Sequence, residues 1–162
     1  MGEVIKVGMA DLNICFSPDG LTTLGLGSCV GVAIRDPILK LGGLVHVMLP
    51  DSTAIKGSAS NLAKFADTGI EELIRQMEVK GAKRARMTAK LAGGAQMFAF
   101  ANDSALVRIG ERNIEASRKK LGELKIPILV EDTGKTYGRT VIFYPETGEY
   151  LIRAVGKEQI II

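Results

Sequence analysis

An α+β fold with a mixed, largely antiparallel sheet follows from three features of this 162-residue chain. Short apolar runs with period-two alternation, bounded by Gly- and Pro-containing turns, fill both ends. Two stretches between them place their apolar residues at helical spacing instead. The order is mostly strands with two helices inserted, which favours a sheet covered by helices. The length suits one domain spanning residues 1–162, and no internal repeat, linker or low-complexity segment interrupts it.

Ile5, Val7 and Met9 alternate with polar or small residues and predict a first strand. Ser17-Pro18-Asp19-Gly20 is a turn signal, and Leu21 to Leu24 leads through Gly25-Leu26-Gly27-Ser28 into a hairpin. Its arms are Cys29 to Ile34 and Leu41 to Met48, about a turn carrying Asp36-Pro37. A turn centred between Pro37 and Ile38 sets Val30 opposite Val45, Ile34 opposite Leu41 and Cys29 opposite His46. DSTAIKGSAS after Pro50 reads as a surface loop able to shape a cleft. From Asn61 to Lys80, Leu62, Phe65, Ile70, Leu73, Ile74 and Met77 give an amphipathic helix with Gly81 as its C-terminal cap. Arg86 to Ala92 alternates as a strand ending at Gly93-Gly94, and Gln96 to Phe100 is an apolar run. Glu111 to Leu124 carries Ile114, Ser117, Leu121 and Leu124 at helical intervals. Pro127 to Val130 is a buried-type strand, and Thr140 to Tyr144 with Glu149 to Val155 forms a last hairpin about Pro145-Glu146-Thr147-Gly148.

Composition excludes several classes of function. The net charge of +3 is scattered among acids, which leaves no electrostatic footprint for nucleic acid. No stretch approaches the roughly 18 apolar residues of a membrane span, and GEVIKVG is no signal peptide, so a cytosolic protein without membrane insertion is expected. Lys6 stands where a myristoylation signal wants Ser or Thr. Two cysteines, Cys15 and Cys29, and one histidine, His46, are too few for a disulfide scaffold or a cysteine/histidine zinc site.

Taken alone, Cys29 is a small buried hydrophobe and His46 a hydrogen-bonded core residue. Two details favour nucleophilic chemistry. The expected register brings thiol and imidazole to one face within hydrogen-bonding reach. The segment Gly25-x-Gly27-Ser28 before Cys29 can also turn sharply and present backbone N–H groups to an oxyanion. Gly93-Gly94 is either a tight turn or a second nest of N–H donors. The glycine spacing does not fit GxGxxG and leads into a strand, which rejects a dinucleotide site. Asp132-Thr133-Gly134 has the look of an aspartic-protease triplet, but with Lys135 beside it a strand-ending turn is the better reading.

Thr23-Leu24-Gly25-Leu26-Gly27-Ser28-Cys29 and Gly42-Gly43-Leu44-Val45-His46-Val47-Met48-Leu49-Pro50-Asp51-Ser52 resemble the chemoreceptor glutamine deamidases called CheD. The resemblance continues through Lys64 to Thr68, Lys90 to Phe98, Ile109-Gly110-Glu111-Arg112-Asn113 and Glu131 to Gly134. It implies an α/β/α-type sandwich similar to the catalytic domain of deamidating necrotizing-factor toxins. By the same resemblance Cys29 is the nucleophile, His46 the general base and Thr23 the residue that orients the imidazole. Gly27, Ser28, Gly93 and Gly94 are the expected oxyanion and substrate-binding positions. Gln96, Met97 and Phe98 are expected to meet a CheC-type phosphatase. The implied reaction turns receptor glutamine into glutamate through a Cys thioester, with methylesterase activity as a side reaction. It needs no metal or organic cofactor, and a monomer is expected when the protein is free. The alternative is a regulatory protein that docks on receptor helices and the phosphatase with catalysis secondary.

Overall fold

Two five-stranded sheets and two helices stack as three layers in the computed structural model, which describes residues 2–54, 61–97 and 108–162. The strands are β1 (Val4–Lys6), β2 (Leu12–Phe16), β3 (Gly20–Leu26), β4 (Val30–Asp36), β5 (Leu41–Val47), β6 (Thr88–Gly93), β7 (Ile128–Thr133), β8 (Arg139–Tyr144), β9 (Glu149–Arg153) and β10 (Ile160–Ile161). The helices are α1 (Ala66–Val79) and α2 (Ile109–Glu123). One sheet runs β1-β3-β8-β9-β10 and the other β2-β5-β4-β6-β7. Each is mixed, with the β1–β3 and β6–β7 pairs parallel and the remaining pairs antiparallel.

The inner strands of the second sheet are buried on both faces, which explains why they read as continuous apolar runs. Val30, Val32, Ile34, Val45 and Val47 meet Ile70, Leu73, Ile74 and Met77 of α1 and Ile114 and Leu121 of α2. Each such fully buried side chain contributes about 1.5–3 kcal/mol of transfer free energy. Ala33, Leu44 and Ala92 point the other way, onto Leu21, Leu26, Val141, Phe143 and Tyr150 of the first sheet. Sheet-to-sheet approach is close here: a Cβ on Gly31 would stand 2.6 Å from the Tyr150 hydroxyl, which bonds the Gly31 carbonyl at 3.0 Å.

The α+β class, two helices and mixed strand order stand as expected; the layering differs. The expected α/β/α arrangement is replaced by helix, sheet, sheet, with both helices on one sheet. Leu21 to Leu24 is not a lead-in but the middle of β3, and the final hairpin joins it in a sheet of its own. Alternation reports which residues share a face, not which sheet a strand enters. β2 was not foreseen, although Leu12 and Ile14 alternate around Asn13 and pack on the helix side.

The hairpin register also differs. Val30 pairs with Val47, Gly31 with His46, Val32 with Val45 and Asp36 with Leu41, a slip of two residues from the expected pairing. The cause is a longer turn. Asp36 is fully buried and its Oδ1 accepts the Ile38 N–H at 3.0 Å, closing a loop over Pro37 to Lys40 in which Lys40 takes φ +50. Its Oδ2 accepts the Lys83 N–H at 3.0 Å and Arg86 Nη2 at 2.6 Å. Burial alone would push the Asp36 carboxyl up, but Arg86 and the N–H groups of Lys83, Ile38 and Leu39 hold it below the usual carboxylate range. Replacing this charge by an amide in Asp36→Asn removes the partner of Arg86 and should cost about 3 kcal/mol. A urea-unfolding midpoint equal to that of the unaltered chain would contradict the assignment.

Candidate active site

The candidate residues collect between the sheets, where the chain crosses from one to the other. β3 carries a bulge between Thr23 and Leu26, with Gly25 at φ +69, and the chain then passes through Gly27, Ser28 and Cys29 into β4. Thr23 is fully buried, facing inward from the first sheet, and His46 is fully buried, facing it from the second. Their side chains meet: Thr23 Oγ1 lies 2.7 Å from His46 Nδ1 and 2.7 Å from the Val7 carbonyl oxygen.

Counting protons fixes the tautomer. A carbonyl oxygen only accepts, so the single hydroxyl proton of Thr23 goes to Val7. Nδ1 must then carry the proton that it donates to Oγ1, which leaves Nε2 as a lone pair. Nε2 is buried and has no hydrogen-bond partner. The strand holds the ring from behind as well, because His46 N–H donates to Asp11 at 3.0 Å and its carbonyl accepts from Ala10 at 3.2 Å.

Cys29 lies in the bend before β4, 7% exposed, in the inter-sheet cluster. The expected thiol–imidazole hydrogen bond is not formed, because the register sets Gly31 rather than Cys29 across from His46. The slip is an even number of residues, so both stay on the inter-sheet side. Burial pushes the Cys29 thiol up and the His46 imidazole down. Both shifts favour the uncharged form, so thiol and imidazole are not a preformed ion pair. Cys15, the other cysteine, is pushed up to about 12, by burial and then by the negative charge of Asp19.

The loop glycines build the bend instead of lending it free donors. Gly27 N–H donates to Gly25 at 3.0 Å and Gly94 N–H to the Cys29 carbonyl at 2.8 Å, which corrects the expectation that these two groups face an oxyanion. Gly93 has φ +108 and a Cβ there would stand 2.3 Å from the Cys29 carbonyl oxygen. Among the described residues no hydrogen bond uses the N–H of Ser28 or Cys29. Gln96 donates its N–H to Lys135, and Met97 is 43% exposed with its side chain over Gly27, so that a Cβ there would meet Met97 Cγ at 3.3 Å. Phe98 lies outside the described residues. Asp132 is paired with Arg139 at 3.0 Å, and Gly134 and Lys135 turn with positive φ, as the strand-ending turn requires. No cluster of metal-ligating side chains occurs among the described residues, and none of their helices is long and apolar enough to cross a membrane.

One residue of the site was not picked out from the sequence. Asn113 of α2 is fully buried, and its Nδ2 donates to the carbonyls of Ser28 at 2.9 Å and Met48 at 3.0 Å. The signal was an amide inside an apolar stripe, since Asn113 and Ser117 share the buried face with Ile114 and Leu121.

Helices on one side of a two-sheet sandwich, with a Thr–His pair between the sheets and a cysteine on the adjoining bend, define an α+β domain whose candidate site lies where the chain crosses between the sheets. The family described as CheD chemotactic sensory transduction matches residues 48–154. The "Probable chemoreceptor glutamine deamidase CheD" of Lachnoclostridium phytofermentans is 61% identical over 159 residues, 98% of each chain. The "Chemoreceptor glutamine deamidase CheD" of Halalkalibacterium halodurans is 53% identical over 155 residues, 96% of each chain. A solved structure, the Bacillus licheniformis hypothetical protein YfiH, is 16% identical with a TM-score of 0.43, covering 72% of this chain and 51% of its own. The chain belongs to the CheD family.

The buried imidazole makes stability depend on pH. An unfolded chain protonates His46 near its ordinary 6.5, the folded chain only at lower pH. The contribution of neutral His46 is therefore intact above 6.5 and is lost as pH falls below it towards the folded value. His46→Gln should show a smaller drop in Tm than the unaltered chain between about pH 7.5 and pH 5. Equal drops in calorimetry would exclude a buried neutral imidazole.

Proposed function

We propose that this chain deamidates glutamine side chains of chemoreceptors, with Cys29 as nucleophile, His46 as general base and Thr23 as the residue that orients the base. The observation that carries the reading is the proton count at Thr23, which leaves the His46 Nε2 lone pair unpartnered on the side of the sheet that Cys29 shares. The names of the relatives point to the same substrate.

In this mechanism His46 Nε2 takes the thiol proton as sulfur bonds to the side-chain amide carbon of a receptor glutamine. The carbonyl electron pair moves to oxygen, and the Cys29 N–H, which no other group uses among the described residues, donates to it. The imidazolium returns its proton to the amide nitrogen, the C–N bond breaks and ammonia leaves. Water, deprotonated by the same Nε2, then cleaves the thioester to glutamate and free thiol. Thr23 holds the ring in the required tautomer throughout. No step calls on a metal or organic cofactor. A glutamyl methyl ester fits the same sequence with methanol as the leaving group, which makes methylesterase activity a side reaction. The likeness in fold to the deamidating necrotizing-factor toxins, implied by the family resemblance, belongs to this reading as well.

Docking of a CheC-type phosphatase at Gln96, Met97 and Phe98 completes the proposal. The exposed Met97 over Gly27 supports it, since a partner seated there would cover the bend that carries Cys29.

Cys29→Ala should abolish ammonia release from a receptor cytoplasmic fragment, with mass spectrometry showing no conversion of amide to acid. Release at the unaltered rate would sink the assignment. Thr23→Val keeps the shape but removes the partner of Nδ1, and its kcat should fall on the order of 10²-fold. Because burial lowers the His46 pKa, the acid limb of the kcat/KM profile should lie below 6.5, and a limb above that value would contradict the neutral buried base.

A further inference from the structure

The Asn113 amide does more than fill the core beneath the bend. Its two N–H groups are divided between two different segments, one to the Ser28 carbonyl at 2.9 Å and one to the Met48 carbonyl at 3.0 Å. Ser28 is the residue before Cys29, and Met48 follows directly on β5, the strand that presents His46. The orientation of the amide is fixed by its partners, because two carbonyl oxygens accept and neither can donate. Its own Oδ1 is buried with no partner. Buried amides placed for packing alone normally satisfy both ends.

The Ser28 contact also acts through the peptide plane. The Ser28–Cys29 bond is trans, since Ser17-Pro18 is the one cis bond among the described residues. In a trans peptide the carbonyl and the following N–H point in opposite directions. Asn113, by gripping the Ser28 oxygen, therefore sets the direction of the Cys29 N–H on the far side of that plane. Gly110, one turn earlier on α2, allows the helix this close: a Cβ there would stand 2.4 Å from the Ala95 carbonyl oxygen. Ser117, one turn later, returns its hydroxyl to the Asn113 carbonyl at 2.8 Å and bonds no other segment among the described residues.

We propose that Asn113 is a positioning residue for the reaction: one side-chain amide ties the nucleophile bend to the base strand and aims the Cys29 N–H at the oxyanion. The proposal rests on the reading of Cys29 as nucleophile and His46 as base. Asn113 makes its hydrogen bonds to the Ser28 and Met48 carbonyls and not to the thiol or the imidazole, so its removal alters the relation of Cys29 to His46 and not the groups themselves.

Alkylation by iodoacetamide tests it without a receptor substrate. Rates at Cys29 and Cys15 are followed across pH, by mass spectrometry of the two peptides, for the unaltered chain, His46→Ala, Asn113→Ala and Ser117→Ala. Asn113→Ala should lower the Cys29 rate near neutral pH by about 10- to 10²-fold and displace its profile towards that of His46→Ala. Ser117→Ala and the Cys15 rate should be unchanged. An Asn113→Ala profile that overlays the unaltered one, while His46→Ala departs from it, overturns the proposal and leaves the nucleophile and base standing. Identical profiles for the unaltered chain and His46→Ala overturn both. Should Asn113→Ala fail to fold, Asn113→Ser decides by the same profile, since its shorter side chain donates one proton and cannot bridge the two carbonyls. On a receptor fragment Asn113→Ala and Asn113→Ser should lose kcat with KM unchanged, and Ser117→Ala should keep both.

Discussion

The single proton of the Thr23 hydroxyl is the constraint on which the candidate site depends. It joins three segments in a row: Val7 after β1 accepts from Thr23 on the first sheet, and Thr23 accepts from His46 on the second. This pair sits in an otherwise apolar seam, where an unmade hydrogen bond costs about 1–3 kcal/mol. Every polar group in the seam is therefore under pressure to find a partner. The exceptions are informative. Three buried side-chain atoms among the described residues lack one: His46 Nε2, Asn113 Oδ1 and Arg139 Nη2. Two of the three side chains border the Cys29 bend, since Asn113 holds the Ser28 carbonyl at 2.9 Å and Arg139 Nη1 reaches the Gly93 carbonyl at 3.5 Å, where Gly93 abuts the Cys29 carbonyl. Their cost is offset by the apolar side chains of the two cores around them.

Much of this architecture was legible in the sequence, and the parts that were not share a physical cause. Both helices were readable because Ile70, Leu73, Ile74 and Met77, and Ile114 and Leu121, repeat at helical spacing whatever they pack against. The hairpin strands were readable from their apolar, β-branched runs. Its register was not, because Asp36 sets the turn through a buried carboxylate whose main partner, Arg86, comes from far along the chain. Division into two sheets was hidden for a similar reason, as Leu21 and Val141 alternate in the same manner whether they face helices or a second sheet. Thr23 was placed by resemblance alone, and only the crossing of the chain between sheets brings it to His46. Asn113 was visible as an amide on an apolar stripe, but nothing local says which carbonyls it meets.

The error in register also shows why the face assignment survived it. A slip of one residue would have turned His46 into the helix layer and Thr23 would have had no imidazole to meet. The observed slip of two keeps Gly31, Ala33, Leu44 and His46 on the inter-sheet side and Val30, Val32, Val45 and Val47 on the helix side. It replaces Cys29 by a glycine opposite the imidazole, and the Tyr150 hydroxyl bonds the carbonyl of that glycine. Cys29 is thereby moved off the ladder and onto the bend.

That displacement divides the two proposed partners between different kinds of support. His46 lies on an inner strand with β2 on one side and β4 on the other, and its own backbone N–H and C=O are both engaged by the segment at Ala10 and Asp11. Cys29 lies outside the regular ladder, where direction is set by a few discrete contacts: Gly94 on its own carbonyl, Ala95 on that of Gly27 and Asn113 on that of Ser28. The imidazole is thus held by a sheet and the thiol by a strapped bend, on separate contacts. The bend is flanked by Gly25 at the end of β3 and Gly93 at the end of β6, both at positive φ, so the direction of Cys29 is set where two strands leave the regular ladder.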